Sequence, residues 1–499
     1  MWCSIAASVL DVATAGGDRP AISTRTRTIT YGQLTTEVLT QATNLQLRGC
    51  EPQDIVFVVA TDPIATITTF LALNLLRCIC VPIHPSHSPR EMRYLLTRYS
   101  ATAVVSDERM LGKPSRPSVN TISSAALSSP VSSYVTMPMQ SPQDRAAILL
   151  TSGARGPAKG VPLTNLNMLA DLNGIQEYMA VGSTDVCLVT RSITHASALV
   201  AEAFLTLTTG GHVIIYGVPA VARQLFTWCT HHRVTWLGLT PSLLRTMVSS
   251  PPVTIASYPR RLVVSGAVLP PALVLSFLET FPHIELLNAY GLTEASPRVA
   301  VLMPPFAAVK AGSVGYSISC CQVRVITDDG RDCLPQEQGE IVVQGSNVMY
   351  GYVASDAAQP FTADGWLRTG DIGYRDEDGA LFVVGRRDDM LIYNGLNIYP
   401  EYIASVVEAS SYVRRALVAL VPLTPEVSRL VAFVEPTRES NSATVLAALR
   451  RHLVKSLDVR KHPEEIVIVR RLPLTPSGKP HQQRLVEDFH RHRNSGKRD

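Results

Sequence analysis

The segment from Ile55 to Ser106 constrains the fold more than any other part of this sequence. Ile55-Val56-Phe57-Val58-Val59-Ala60 is an uninterrupted apolar run, rich in β-branched residues. Such a run suits a strand buried on both faces. Pro63 to Leu76 then reads as a helix, Cys78 to Pro82 as a second strand and Ala103 to Ser106 as a third. Later runs at Val186–Val189, Val213–Tyr216, Val234–Leu237 and Arg261–Val264 repeat the pattern, with helical stretches between most of them. Buried strands alternating with helices predict α/β layers with largely parallel sheets.

The chain has 499 residues, about three domains' worth, enough for large cores. Hydrophobic residues are 46% and charged residues 17%, a globular rather than a disordered composition. The net charge of +4, from 45 basic and 41 acidic residues, gives no general attraction to nucleic acid. Nine cysteines lack metal-type spacing and predict reduced thiols in a cytoplasmic protein. No secretory signal is expected. The apolar stretch around Ile64 to Val81 carries Thr66, Thr68, Thr69, Asn74 and Arg77. These polar groups predict a core helix running into a strand, and no transmembrane segment is expected.

Residues 112–142, rich in Ser and Pro, read as a surface connection. From about Gly312 to Val384 the strands become short and alternating, with Asp-Gly turns at 329–330 and 378–379. That texture predicts hairpins and a small β-rich subdomain. The remainder after Gly385 reads as a small α+β unit. The expected organisation is a large N-terminal part, 1–387, and a small mobile C-terminal domain, 388–499.

The stretch TSGARGPAKG, 151–160, follows an apolar strand. Glycines let a backbone approach a phosphate closely, while hydroxyls, successive N–H groups and a Lys supply donors. It is not a Walker A loop, because Ala158 precedes Lys159 and Gly160 follows it. Four further stretches occur in order: NAYGLTEAS at 288–296, GWLRTGDIG at 365–373, GRRDDMLIYNGLNIYPEYI at 385–403 and LPLTPSGKP at 472–480. With ITYGQLTTEV at 29–38, these motifs resemble the adenylate-forming superfamily over nearly the whole chain.

The resemblance implies ATP-dependent activation of a carboxylic acid to an acyl-adenylate, then transfer to a thiol of CoA or of a carrier-protein phosphopantetheine. It places Thr151, Ser152, Gly153, Arg155, Gly156, Lys159 and Gly160 around the β- and γ-phosphates. Ala154 and Arg155 stand where hydroxyl residues are usual; Arg155 could supply charge in their place. Asn288, Ala289, Tyr290 and Gly291 fall on the adenine side, Thr293 on the α-phosphate, and Glu294 on Mg²⁺. Asp371 resembles the ribose ligand and Arg386 a residue near ribose and phosphates. Asp388 matches the hinge about which the C-terminal domain turns. One orientation would bring in Lys479 for adenylation, and the other the loop containing Gly395 for thiol transfer. Pro480 departs from the apolar β-branched residue usual after that Lys.

For the acid, His195 matches a His of acyl- and aryl-CoA synthetases. Ser197 stands where amino-acid-activating members carry an Asp, which disfavours an ammonium-bearing substrate. Ser197, Ala201 and Ser265-Gly266-Ala267 are small and leave room for a medium or long fatty acid or an aromatic acid. Three readings stand: an acid–CoA ligase, a ligase loading a carrier protein, and a non-catalytic relative that binds nucleotide or acyl ligand.

Overall fold

A computed structural model describes residues 3–107, 119–151, 159–217, 222–252, 259–354, 359–389, 391–393, 396–423, 428–437, 441–457, 459–474 and 481–495. The expected first strand is Ile55–Val59. It pairs in parallel with Ile79–Pro82 on one side and Ala103–Ser106 on the other. The crossover is the helix Pro63–Leu75, started by Asp62, whose side chain accepts from Ile64 N, with Pro63 in the first turn. Its polar residues are buried but paired. Gln41 Nε2 donates to Thr68 Oγ1 at 2.9 Å, Thr69 Oγ1 donates to Gln41 Oε1 at 2.8 Å, and Asn74 Nδ2 donates to Asn165 Oδ1 at 3.0 Å. Among the described residues, no helix is long and apolar enough to cross a membrane.

This sheet has six strands among the described residues. Its outer hairpin joins Arg145–Thr151 to Lys159–Thr164 in antiparallel register, with Thr151 opposite Lys159. The Gly-rich loop therefore joins two antiparallel strands; a helix, Asn165–Met179, follows only after the second. At the far edge, Asn120–Ser123 pairs in parallel with Ala103–Ser106. The Ser/Pro-rich segment is thus partly structural. A single inward apolar residue, Ile122, holds an edge strand that composition hides.

The second sheet has nine strands among the described residues. Four run parallel at its centre: β1 (Val186–Val189), β2 (Trp236–Leu239), β3 (Arg261–Val264) and β4 (Glu285–Gly291), adjacent in the order β4-β3-β2-β1. One apolar core runs between the two sheets, through the helices Tyr31–Leu47 and Pro63–Leu75. The expected hairpins form a four-stranded antiparallel sheet, Cys321–Ile326, Gly339–Gly345, Leu367–Arg375 and Leu381–Arg386. Gly330 and Gly379 turn with φ of 89° and 80°, the region that glycine alone enters freely. Arg387–Asp389, which contains the expected division, is one turn of 3₁₀ helix. Beyond it, Val413–Pro422 and Ser428–Pro436 form an antiparallel pair with Glu465–Ile468 beside it, packed on the helices Pro400–Glu408 and Ser442–Ser456 around a separate core.

Candidate active site

The carboxyl ends of β1 to β4 lead into Arg191–His195, Thr240, Ser265–Ala267 and Thr293–Glu294 respectively. In an open α/β sheet this edge forms the ligand crevice. Every motif residue placed in this sheet therefore converges there, though nothing in local periodicity requires it.

Asp371 anchors one side. Tyr290 Oη donates to its Oδ2 at 2.5 Å and Arg386 Nη1 to its Oδ1 at 3.1 Å. The register sets this up, since Asp371 and Arg386 are opposite each other on neighbouring strands. Arg386 Nη2 also donates to the Thr369 carbonyl at 3.3 Å. Burial pushes the Asp371 carboxyl up to about 6, against the pull of Arg386 and the Tyr290 hydroxyl. Burial, together with the carboxylate, likewise raises the Tyr290 hydroxyl, which stays a protonated donor. Asn288 and Ala289 are buried within β4. The Asn288 amide donates to the Ser313 carbonyl at 2.7 Å, so it braces the strand. Gly291 is required by packing: a Cβ there would lie 1.9 Å from the Pro297 carbonyl oxygen.

Glu294 sits in a single 3₁₀ turn, Thr293–Ala295. Tyr352 Oη donates to Glu294 Oε1 at 2.6 Å, and Met349 N donates to the Glu294 carbonyl at 2.9 Å. The Lys159 ammonium lies 4.9 Å from the centre of the Tyr352 ring, a cation–π contact. Beneath this turn, Asn347 Nδ2 donates to the carbonyls of Ala295 and Arg298 at 3.0 and 2.7 Å, and Ser296 Oγ donates to the Asn347 carbonyl at 2.7 Å. Asp171, wholly buried, accepts from Arg298 N at 2.9 Å, and burial pushes its carboxyl up to about 8. Tyr352, Asn347 and Asp171 were not among the sequence candidates. The run Val348-Met349-Tyr350-Gly351-Tyr352 was the available signal for the first.

Ser152, Gly153, Arg155, Gly156, Gly395 and Lys479 lie outside the described residues, as do Ala154, Ala158 and Pro480. Thr151, Lys159 and Gly160 frame the loop. Gly160 is sterically obligatory, since a Cβ would come within 2.5 Å of Tyr99 Cε1. Asp388 occupies the 3₁₀ turn after the last strand of the four-stranded sheet.

On the acyl side, His195 is exposed at the mouth of the crevice and leads into an eight-residue π-helix, Ser197–Phe204. Desolvation of the ring by the walls around it, then the nearby Arg191 and His84, lowers its basicity. Ala201 packs into the main core, as does Ala198, so these small side chains line no open channel. Gly266 and Ala267 are exposed and border a cleft of about 400 Å³, whose other wall includes Asp389, Glu401 and Glu408. Arg245 and Glu408 form an ion pair across that cleft. Ser265 is buried and accepts from Arg191 Nη1 at 3.2 Å. Glu202, the nearest carboxylate in sequence to the amino-acid position, is neutralised by an ion pair with Arg191.

The sequence pattern of the AMP-binding enzymes matches residues 10–353, and that of their C-terminal domain matches residues 402–479. A sulfoacetate–CoA ligase of Cupriavidus necator is 29% identical over 92% of each chain. A 2-succinylbenzoate–CoA ligase of Bacillus pumilus is 33% identical over 68% of each chain. The structure of o-succinylbenzoate CoA synthetase from Bacillus subtilis, solved with an acyl-adenylate intermediate, superposes with a TM-score of 0.84 at 25% identity, over 96% of this chain and 97% of that one. With the Tyr290–Asp371–Arg386 and Tyr352–Glu294 clusters at one sheet edge, these matches place the chain in the AMP-binding enzyme family, within the adenylate-forming superfamily.

Proposed function

We propose that this protein is an acid–CoA ligase that forms AMP and pyrophosphate. The observation that carries this reading is the pair of carboxylates at one crevice. Asp371 is held between Tyr290 and Arg386, and Glu294 is held by Tyr352. In this reading Asp371 accepts the ribose hydroxyls of ATP, and Tyr290 and Gly291 border the adenine. Thr293 and Arg386 contact the phosphate chain, with Thr151, Lys159, Gly160 and the loop between them around its far end. A hard, hydrated cation favours carboxylate, hydroxyl and phosphate oxygens, and Glu294 beside Thr293 fits Mg²⁺ on that ground. When bound, the ion neutralises charge on the triphosphate.

In the first step a carboxylate oxygen of the acid forms a bond to the α-phosphorus. The bond from that phosphorus to the bridging oxygen breaks, and pyrophosphate leaves with the electron pair. Lys479 would bridge the two anionic reactants. In the second step the CoA sulfur bonds to the acyl carbon, AMP leaves on its oxygen, and the thiol proton passes to solvent. We assign the reorientation between steps to Asp388, with the loop around Gly395 entering for the second. CoA is preferred to a carrier protein because the relatives above are named CoA ligases. His195 and Ser197 border the acid. A compact acid of aromatic size fits better than a long chain, because Ala198 and Ala201 are packed into the core. The sulfoacetate and 2-succinylbenzoate of the relatives' names each carry a second acidic group. A cytoplasmic location agrees with nine unpaired cysteines.

The test is acid-dependent pyrophosphate release with ATP and Mg²⁺, with and without CoA. Release followed by a CoA thioester is the expected result. Release without thioester would move the acceptor to a carrier protein, and silence with every acid would overturn the ligase reading. Lys479→Ala is expected to lower the adenylation rate by about 100-fold or more while sparing thioester formation from supplied acyl-adenylate.

A further inference from the structure

The Arg191–Glu202 pair is absent from the roles above, yet it is built into the crevice. Arg191 lies two residues beyond β1, Gly238 lies in β2, and Ser265 directly follows β3. The three strands are neighbours, so all three residues sit at the same carboxyl edge as Thr293 and Glu294. The pair rests on Gly238. A Cβ there would lie 2.1 Å from Glu202 Oε1 and 2.5 Å from Arg191 Nη2. Glycine inside a strand weakens it and marks a close approach, which here is that of the ion pair. Glu202 comes from the π-helix Ser197–Phe204, an irregularity frequent at functional sites.

A buried ion pair is rarely the most stable filling for a core, and apolar residues would wall a hydrocarbon pocket better. The two partners are not equally hidden. The Arg191 side chain is 15% exposed and that of Glu202 3%. The carboxylate is therefore behind and the guanidinium in front. Arg191 Nη1 reaches Ser265 and Nη2 reaches Glu202, each with one of its two N–H groups, which leaves the second N–H of each for a ligand; Nε is buried and, like Glu202 Oε2, has no partner among the described residues. His195, coupled to Arg191 and His84, and the buried Cys187, coupled to Glu202 and Arg191, are titratable groups beside the pair.

We infer that Arg191, clamped by Glu202 over Gly238, is the specificity-determining anchor for a second anionic group, carboxylate or sulfonate, on the acid being activated. The guanidinium fork matches such an oxyanion in two-point geometry. Glu202 holds the fork in place before substrate arrives, which lowers the ordering cost of binding. A long alkyl chain would abut the desolvated pair and gain nothing from it. This inference rests on the acyl-pocket reading of the previous subsection.

The test uses the full-length enzyme and matched acids: succinate against butyrate, terephthalate against benzoate, sulfoacetate against propionate. Each is titrated calorimetrically for binding and assayed for pyrophosphate release with ATP and Mg²⁺. In at least one pair, the dianion is expected to be favoured in both readouts by about tenfold or more, the worth of one charge-assisted hydrogen bond. The double variant Arg191→Met/Glu202→Gln leaves no buried charge unpaired. It is expected to lose that preference, keep turnover of the monoanion and keep its thermal stabilisation by ATP. Gly238→Ala, which displaces the pair, is expected to reduce the preference in the same direction. Preference for the monoanions, or a double variant that still favours the dianion, would overturn the anchor and leave the ligase intact. Selective binding of a dianion without pyrophosphate release from any acid would overturn the ligase and leave the anchor. Neither binding nor release with any of the six would overturn both.

Discussion

Asp371 shows how burial gives one side chain two opposite pH dependences. Its carboxyl is raised to about 6 by desolvation, so the folded protein holds this proton more tightly than the unfolded chain does. Its contribution to the stability of the free protein is therefore full below about pH 4 and is lost as pH rises through about 6. In the proposed role Asp371 accepts two ribose hydroxyls, which needs the ionised form, so the expected ATP affinity runs the other way. We expect ATP binding, followed by fluorescence titration, to weaken as pH falls below about 6, and Asp371→Asn to weaken it at every pH and flatten the profile. Tyr352 makes a second residue-level prediction. Removing its hydroxyl as Tyr352→Phe frees Glu294 from a hydrogen bond to a charged group, worth about 1.5–3 kcal/mol. The expected result is a fall in kcat/KM of about tenfold or more with a raised Mg²⁺ requirement, measured by Mg²⁺ titration of pyrophosphate release. Asp371 and Glu294 were legible in the sequence because each sits inside its own short motif. The run around Tyr352 marked that residue but not its partner, because Glu294 is 58 residues away and no local pattern links the two.

At the scale of elements, the Gly-rich loop gains its setting from a hairpin. Lys159–Thr164 pairs back on Arg145–Thr151, and the Gly160 carbonyl accepts from Val353 N at 3.0 Å. That bond ties the hairpin to the loop that carries Tyr352, so the proposed phosphate end and the Glu294 end of the site share one support. Gly160→Ala is expected to break it, because the new methyl would meet Tyr99 and Ile148. We predict a loss of about 1–3 kcal/mol in stability, typical of overpacking, together with weaker ATP binding. Thermal melting and ATP titration check the two halves; an unchanged ATP affinity in a destabilised variant would separate packing from function. The strands at Ala103–Ser106, Val186–Val189 and Arg261–Val264 were readable to the residue, because buried parallel strands are continuous apolar runs. The π-helix after His195 carried no such signal, since its pattern of apolar residues is also that of an ordinary buried helix.

Across the whole molecule, the Arg245–Glu408 ion pair links the N-terminal sheets to the C-terminal unit, beside the packing of Tyr399 on Ile372 and Val384. Its side chains are only 15% and 16% exposed, and Glu408 Oε1 also accepts from Ala416 N at 2.8 Å. If the C-terminal unit turns about Asp388, this pair must part. Arg245→Ala leaves Glu408 buried without its partner, which costs about 3–5 kcal/mol in such settings. We expect the C-terminal unit to detach more readily. Limited proteolysis around residues 388–396 should be faster, with the melting of the N-terminal part unchanged; Glu408→Gln should have a smaller effect in the same direction. Equal proteolysis of wild type and Arg245→Ala would argue that the pair holds no orientation.

By itself the sequence determined the α/β class, the change of texture near Gly312, several of the buried strands and the ordered motifs that carry Glu294, Asp371, Arg386 and Lys479. These are local properties: strand and helix periods, turn chemistry and short runs of residue types. The same signals misplaced the strand at Trp236–Leu239 by two residues and that at His212–Ile215 by one, and they missed the edge strand Asn120–Ser123. Only the tertiary structure decided which distant side chains meet. It set Tyr290 on Asp371 across 81 positions and paired Glu202 with Arg191 over a glycine of a neighbouring strand. It also turned Ala201 from an expected pocket wall into core. The physical reason is that a side chain's chemistry is fixed when the chain is made, whereas its neighbours, its burial and its charge state depend on how the sheets are ordered and packed.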